Sequence, residues 1–465
     1  MSALRRLRRA AVAATLLSCT LSTAPLGAAD GGTLRAGAAR VELTPALKAE
    51  LPATGRYEHE KIFARAIVVD NGTTRAALLG ADSSDMYENV WADVAPRIAA
   101  ELNCPVQNIL MSVTHSHSAG SPMGPARDDA YTKALGDALL QAVRDAKARL
   151  EPARVGFGTG AAYLNVNRDA IDADTHQWSQ APNTRAVSDK TLAVIKFVRP
   201  NGEAIAAYVD YAMHPVDGYL LGFITADFPG AMSRYVEQAF ADRAVVIYAQ
   251  SASGDQNPLY LRPSTNGQAS KLGVPITGFD MVRERVEGQF RGQEGRVKPI
   301  DPAVRDRLER FIESEGQILG EEVIRVMTLA NRTSADARIW GAQQTVTCPG
   351  RRRLDTAREG AAGSYEDAGP VPIRLSVLGL GDIALAGVNA EMYTRIALRT
   401  RRQSPLANTV VVTLANGRAD TGYIPDDESY SHQTFQVLGT RVKAGCAESA
   451  IADGLSGMIT QFGRR

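Results

Sequence analysis

The sequence predicts a mixed α/β fold, one large domain in which mixed β-sheets are flanked by helices and a metal site lies at strand carboxyl ends. Three observations carry that expectation. Pairs of β-rich runs sit on either side of tight-turn signals: 61–70 and 74–80 around Asn71-Gly72, 192–198 and 204–211 around Pro200-Asn201-Gly202, and 373–378 and 382–388 around Gly379 and Gly381. Between them lie segments whose apolar residues recur every three or four positions, the period of a half-buried helix. Polar clusters, several containing histidine, stand just past the apolar runs, where open α/β sheets place their ligand sites.

Taken in order, residues 1–29 read as a secretory signal peptide: Arg5, Arg6, Arg8 and Arg9 precede the apolar stretch 10–17, and Gly27-Ala28-Ala29 offers a cleavage site. Leu16-Leu17-Ser18-Cys19 is an alternative lipoprotein processing box, less favoured because Arg9 crowds the apolar stretch. Both readings put the mature chain outside the cytoplasm, periplasmic or secreted. No later run reaches the ~18 apolar residues that a membrane-spanning helix requires. With 52 basic and 51 acidic side chains the formal net charge is +1, so no global field draws the chain to nucleic acid. Once Cys19 leaves with the signal, Cys104, Cys348 and Cys446 remain, enough for at most one disulfide and without a metal-binding CxxC spacing.

The first strand lies within 37–45, and the first hairpin ends in Asp82-Ser83-Ser84-Asp85. That cluster reads as a cap for the helix expected over 89–102, since Ser and Asp satisfy free helical N–H groups. The apolar run 108–113 then leads into Thr114-His115-Ser116-His117. In an extended strand residues i and i+2 share a side, so His115 and His117 can face one ion or one substrate. Taken alone, the same tetrapeptide reads equally well as a hydrogen-bonded turn. A small-residue loop from Ser118 to Pro125 and a helix over 129–150 follow.

Arg154 to Gly158 reads as a strand that runs on to Asn165-Val166-Asn167-Arg168, where the arginine by itself is an ordinary solvated or structural charge. The second hairpin exits at His214-Pro215. A helix begins at Asp227-Phe228-Pro229-Gly230, with Met232, Tyr235, Val236 and Phe240 expected inward. The strand 244–249 then empties into a polar loop, Gln250 to Pro258, that contains Asp255 and Asn257. Residues 260–300 lack periodicity and read as a surface excursion or lid. A long helix over 302–329 precedes Arg351-Arg352-Arg353, which reads as a solvated charged face. The third hairpin ends at Asn389-Ala390-Glu391, ahead of an arginine-rich helix, and the strand 409–414 leads to Gly422-Tyr423. With no repeat of fixed period and no low-complexity linker, 30–465 is expected to be one domain.

Strand ends thus present His115, His117, His214, Asp255, Glu391 and Tyr423. Imidazoles with a carboxylate suit Zn²⁺, which favours N and O donors and in catalytic sites keeps a position open for water. In order and composition these motifs resemble the neutral/alkaline ceramidase family. The resemblance rests on 39–45, Phe63-Ala64-Arg65-Ala66, Thr114-His115-Ser116-His117-Ser118, Asn165-Val166-Asn167-Arg168, His214 with Asp227, Ala249-Gln250-Ser251, Gly254-Asp255 with Pro258, Glu391, and Gly422-Tyr423. It implies one zinc per chain held by His115, His214, Glu391 and Tyr423, with His117 and Arg168 beside the metal orienting the scissile amide and stabilising the oxyanion. It also implies an amidohydrolase acting on a ceramide-like lipid or related N-acyl compound by zinc-activated water.

Two departures qualify the resemblance. Where the family carries Gly-Asp-x-Ser-Pro, this sequence reads Gly254-Asp255-Gln256-Asn257-Pro258, which excludes a serine nucleophile there, leaves a metal-hydroxide mechanism, and makes Asn257 a candidate hydrogen-bond donor in the catalytic set with Asp255, His117 and Arg168. The sequence also ends soon after the Tyr423 segment, so the family's C-terminal β-sandwich is not expected within 30–465. The alternatives are a zinc esterase, a hydrolase of another amide, or a non-catalytic metal-retaining binding protein.

Overall fold

The computed structural model describes residues 33–43, 61–119, 130–218, 225–259, 302–356 and 359–463. The segments expected to be the signal peptide and the 260–300 excursion lie outside them. The first sheet holds β1 (Arg35–Glu42), β2 (Phe63–Asp70), β3 (Arg75–Ala81), β4 (Ile109–Val113) and β5 (Glu151–Pro152), with α1 (Glu88–Leu102) and α2 (Ala130–Ala148) on one face. The second comprises β6 (Arg154–Ala161), β9 (Thr191–Val198), β10 (Ala204–Tyr211), β11 (Val245–Gln250) and β13 (Thr333–Ser334). It is covered by α3 (Asp227–Ala239) and α4 (Pro302–Leu329). A small sheet of β7 (Asn165–Ile171), β8 (Trp178–Asn183) and β12 (Gln256–Pro258) leans on the second.

A further sheet contains β14 (Ile339–Arg353), β15 (Tyr365–Leu380), β16 (Ile383–Val388) and β18 (Asn408–Val412), backed by α5 (Thr394–Gln403) and α7 (Ala447–Gly463). Two short parallel strands, β17 (Glu391–Met392) and β19 (Tyr423–Ile424), lie beside it, and α6 (Phe435–Gly439) follows them.

One construction recurs in the three large sheets. An antiparallel hairpin is followed by a helix and then by a strand parallel to the second arm: β2–β3 then β4, β9–β10 then β11, β15–β16 then β18. Each parallel pair needs a crossover helix, and that helix covers one face of its sheet. The opposite faces meet in a common apolar seam that includes Ile67, Leu78, Leu110, Ile195, Tyr208, Ile247, Leu378 and Val412. Because the pairs are parallel, their carboxyl ends open together. The structural match is therefore repeated topology without a repeated sequence period.

Several local expectations change. Residues 154–168 are two strands in different sheets: the Tyr211 hydroxyl accepts from the N–H groups of Leu164 and Asn165 (both 3.2 Å) and donates to Ala162 O (2.9 Å), satisfying the backbone at the break. The loop 250–258 contains β12, which pairs with β7. Tyr235 is half-exposed, with its hydroxyl on Glu321, rather than part of the α3 core. Arg351 is not simply solvated: it lies 3.9 Å over the Tyr365 ring and donates to Val437 O (2.6 Å) and Thr440 O (3.1 Å). Among the described residues Cys348 and Cys446 form a disulfide, which ties β14 to the start of α7, while Cys104 is a free thiol pushed up to about 11 by burial.

Candidate metal centre

β4 ends at Val113, and one further ladder bond runs from Thr114 N to Ala81 O (2.9 Å). His115 then adopts φ +63°, a left-handed conformation uncommon outside glycine and frequent at functional sites. His115 and His117 do meet, with Nε2 atoms 3.4 Å apart, but through this turn and not by strand alternation. His214, three residues past β10, brings its Nε2 to 3.2 Å from that of His115. Glu391, three residues past β16, places Oε2 at 3.3 Å from His115 Nε2 and 3.4 Å from His214 Nε2. His115, His214 and Glu391 are buried, and His117 is half-exposed.

Hydrogen bonding settles which ring nitrogens face inward. His115 Nδ1 lies 2.5 Å from Ser84 O, and His214 Nδ1 lies 2.8 Å from Ser253 O and 3.2 Å from Gln256 O. A carbonyl can only accept, so each Nδ1 carries the hydrogen and each Nε2 turns a lone pair toward the other. Glu391 Oε2 is a buried oxygen without a hydrogen-bond donor and faces the same point. Converging ring nitrogens and a buried carboxylate oxygen suit a cation between them, and neutral imidazoles with an oxygen donor fit Zn²⁺.

Charge within the protein favours a cation at this point, whether a metal ion or a proton on His115. Burial disfavours charge on His115, but Glu391 and Asp85 outweigh it and raise the imidazole's proton affinity. His214 is pushed down to about 3 by burial and by the Arg168 guanidinium. Burial likewise works against the Glu391 carboxylate, yet His115, His214 and Arg418 hold it well below the usual range.

Tyr423 reaches the site by register: in the β17–β19 pair it stands directly opposite Glu391. Its ring centroid is 6.5 Å from that of His214, and burial pushes its hydroxyl up while Arg168 works against that rise. Arg168 is buried in β7, with its guanidinium 5.4 Å from the ring centres of both Tyr423 and Phe435. It donates to Gly254 O from Nε (3.0 Å) and Nη2 (2.6 Å), and from Nη1 to Asn257 Oδ1 (3.2 Å). Gly254 is required here, since a Cβ would lie 2.9 Å from Met392 O and 2.9 Å from the Tyr393 ring.

Asp255 is turned away from the histidines. Its carboxylate accepts from Thr394 N (2.9 Å), Thr394 Oγ1 (2.8 Å) and Asn167 Nδ2 (2.9 Å), so it joins β7, the 251–258 loop and α5 as a positioning residue. Burial raises it to about 7.

The sequence reading missed two site residues. Asp82-Ser83-Ser84-Asp85 does not cap α1, whose first turn is preceded by Tyr87 without a side-chain cap. Instead Asp82 accepts from Phe63 N (2.8 Å) and Arg65 (2.7 Å), Ser84 O holds His115, and Asp85 approaches His115 and Glu391, with ligand atoms mutually within 4.8 Å. Arg418 pairs with both Asp85 and Glu391. Two polar clusters at the ends of neighbouring parallel strands were the available signal for Asp85; nothing local singled out Arg418.

Fold and site together define a mixed α/β protein with a buried, metal-competent centre at the carboxyl ends of its parallel strand pairs. Residues 49–273 match the family described as "Neutral/alkaline non-lysosomal ceramidase, N-terminal". Over that stretch the chain is similar to the neutral/alkaline ceramidases, the family its motifs resemble. It is 25% identical to neutral ceramidase of Pseudomonas aeruginosa over 309 residues, 61% of this chain and 45% of that protein. Neutral ceramidase of Drosophila melanogaster is 22% identical over 259 residues, 50% of this chain and 37% of that protein. The chain thus spans less than half the length of these relatives. The fold matches a solved structure described as "Ceramidase complexed with C2" with TM-score 0.67 and 15% identity, over 93% of this chain and 76% of that one. It also matches the neutral ceramidase structure from Pseudomonas aeruginosa with TM-score 0.62 and 16% identity, over 92% and 74%.

Proposed function

We propose that the chain is an exported zinc-dependent amidohydrolase that cleaves the N-acyl bond of a ceramide-like lipid or a related N-acylated compound. One observation carries the reading: the Nε2 lone pairs of His115 and His214 and the donorless Oε2 of Glu391 converge on one point. His115, His214, Glu391 and Tyr423 would hold one zinc, with the His117 imidazole close enough to share the centre or act beside it. Zinc bound there would acidify a water and polarise the carbonyl under attack.

The chain's own groups supply the rest. Arg168 keeps its charge, because Tyr423, Tyr393 and Glu391 outweigh the cost of burial, and its fixed guanidinium would donate to the developing oxyanion. Asn257 and Gly254 hold that guanidinium in place from the 250–258 loop. The half-exposed imidazole of His117 would return a proton to the departing amine. Residues 1–29 would be the export signal and 30–465 the hydrolase domain.

The test is zinc content of purified protein beside His115→Ala and Glu391→Ala, each assayed on a fluorescent N-acyl sphingosine and a matched ester. One zinc per chain, lost in both variants together with amide cleavage, supports the reading. Ester cleavage alone reassigns the substrate class, and zinc without turnover on either probe points to a binding role. A wild-type chain that holds no zinc overturns the centre.

A further inference from the structure

Two donor groups overlap in this site. His115, His117 and His214 form one, and Asp85, His115 and Glu391 form the other, each with its ligand atoms mutually within 4.8 Å. In a two-metal hydrolase the carboxylate-rich group would take a second ion. Here a guanidinium already stands there. Arg418 Nη1 donates to Asp85 Oδ1, and Nη2 donates to Glu391 Oε1 at 3.1 Å. The two oxygens of Glu391 are thereby divided: Oε1 faces Arg418, and Oε2 faces the imidazoles.

The backbone that carries Arg418 is fixed before any ligand arrives. Asn416 N donates to Met111 O (2.9 Å), and Asn416 Oδ1 accepts from Met111 N (2.8 Å), fastening the loop to β4. Ala419 N donates to Asn389 O (2.6 Å), two residues before Glu391. Arg374 holds Asn416 O (2.6 Å) from the other side. Asp85 is buried, and the Arg418 side chain is 23% exposed.

Resting on the metal-centre reading above, we propose that Arg418, anchored by Asp85, is a positioning residue that takes the place of a second metal ion. It turns Glu391 so that a single oxygen faces the bound ion and limits the centre to one ion. Charge and orientation pull in opposite directions, which makes the sign of the effect decisive. By Coulomb's law alone, removing a cation beside Zn²⁺ should tighten zinc binding. If the guanidinium instead orients a ligand, removing it should weaken binding, as loss of outer partners does at metal sites.

The experiment measures zinc affinity of the purified chain by competition with a chromophoric chelator, with metal stoichiometry and thermal unfolding on the same samples. Arg418→Gln should weaken zinc about 10- to 100-fold. Arg418→Lys keeps the charge but replaces the planar fork by a single ammonium on a shorter reach, which cannot reproduce the separate Nη1 and Nη2 donations to Asp85 and Glu391, and it should stay weakened. Asp85→Asn removes an anion as well as the anchor, so charge and orientation both weaken zinc there and it serves only as a check on direction; Arg418→Lys, which keeps the charge, carries the test should Arg418→Gln fail to fold. Unchanged or tighter binding in Arg418→Gln overturns the proposal, as does wild-type affinity in Arg418→Lys or two zinc ions per wild-type chain. A wild-type chain without zinc would instead remove the metal-centre reading and this inference with it.

Discussion

The Nε2 atoms of His115 and His214 lie 3.2 Å apart although each ring's hydrogen is spent on a backbone carbonyl at Nδ1. Two lone pairs at hydrogen-bond distance repel unless something positive lies between them. The Ser84 and Ser253 carbonyls therefore do more than satisfy two rings. They hold both imidazoles in the tautomer that binds a metal, the arrangement outer-shell partners supply in zinc sites. A proton can substitute for the metal, and the raised affinity of His115 beside Glu391 shows which group would carry it.

Zinc bound to the folded chain alone should stabilise it by mass action. Stripping it with a chelator is expected to lower the unfolding temperature, with recovery on adding zinc. An unfolding temperature that ignores both chelator and zinc would contradict the centre.

Arg168→Lys should keep the metal and lose rate. A lysine ammonium cannot reproduce the three donations to Gly254 O and Asn257 Oδ1. A fall in kcat of about 10²-fold with zinc content unchanged is expected if the guanidinium stabilises the oxyanion. Steady-state kinetics with parallel metal analysis decides it.

Glu315, buried on α4 beside Asp217, is raised to about 7 by burial. Its folded-state value exceeds the unfolded one, so between about 4.5 and about 7 the folded chain holds the extra proton. Stability from this group is present at low pH and lost as pH rises through 7. Glu315→Gln should therefore stabilise the protein at pH 8 by up to ~3 kcal/mol and change little at pH 4. Denaturant melts at the two pH values measure the difference, and equal effects at both would contradict it.

The Cys348–Cys446 bridge closes a loop of 98 residues between β14 and α7. Replacing both cysteines by serine should cost about 2–5 kcal/mol, mostly by freeing the unfolded chain. The expected sign is a lower unfolding temperature, with metal content per folded chain unchanged.

His432 Nδ1 donates to Asp169 Oδ2 (2.9 Å), and the Tyr393 hydroxyl donates to the same oxygen (3.0 Å). This joins the strand of Arg168, the segment after Glu391 and the segment after Tyr423. His432→Ala should speed amide hydrogen exchange across 425–440, while His432→Asn, with an amide N–H near the Nδ1 position, should restore protection. Equal exchange in the two variants would show that the bond holds nothing.

By itself the sequence determined the elements and the chemistry on offer. Hairpin turns at Asn71-Gly72 and Asn201-Gly202, helical periods over α1 to α4, and polar residues past β4, β10 and β16 all follow from local backbone preference and alternating burial. Those signals act between near neighbours, so one chain stretch suffices to read them. Tyr423 stands just past a strand in the sequence, but its role as a ligand came only through the family's motif.

What the tertiary structure decided was which of these groups meet. His115 and His214 are 99 residues apart, and Arg418 joins Asp85 across 333. No period links such positions; they meet because three parallel strand pairs pack through one apolar seam and open at the same end. Side-chain direction was equally non-local. His115 faces His117 through a left-handed turn held by the Ser84 carbonyl, and Asp255 points away from the imidazoles because Thr394 and Asn167 claim its oxygens. Packing and hydrogen-bond competition fix those directions, and neither is written in the order of residue types along the chain.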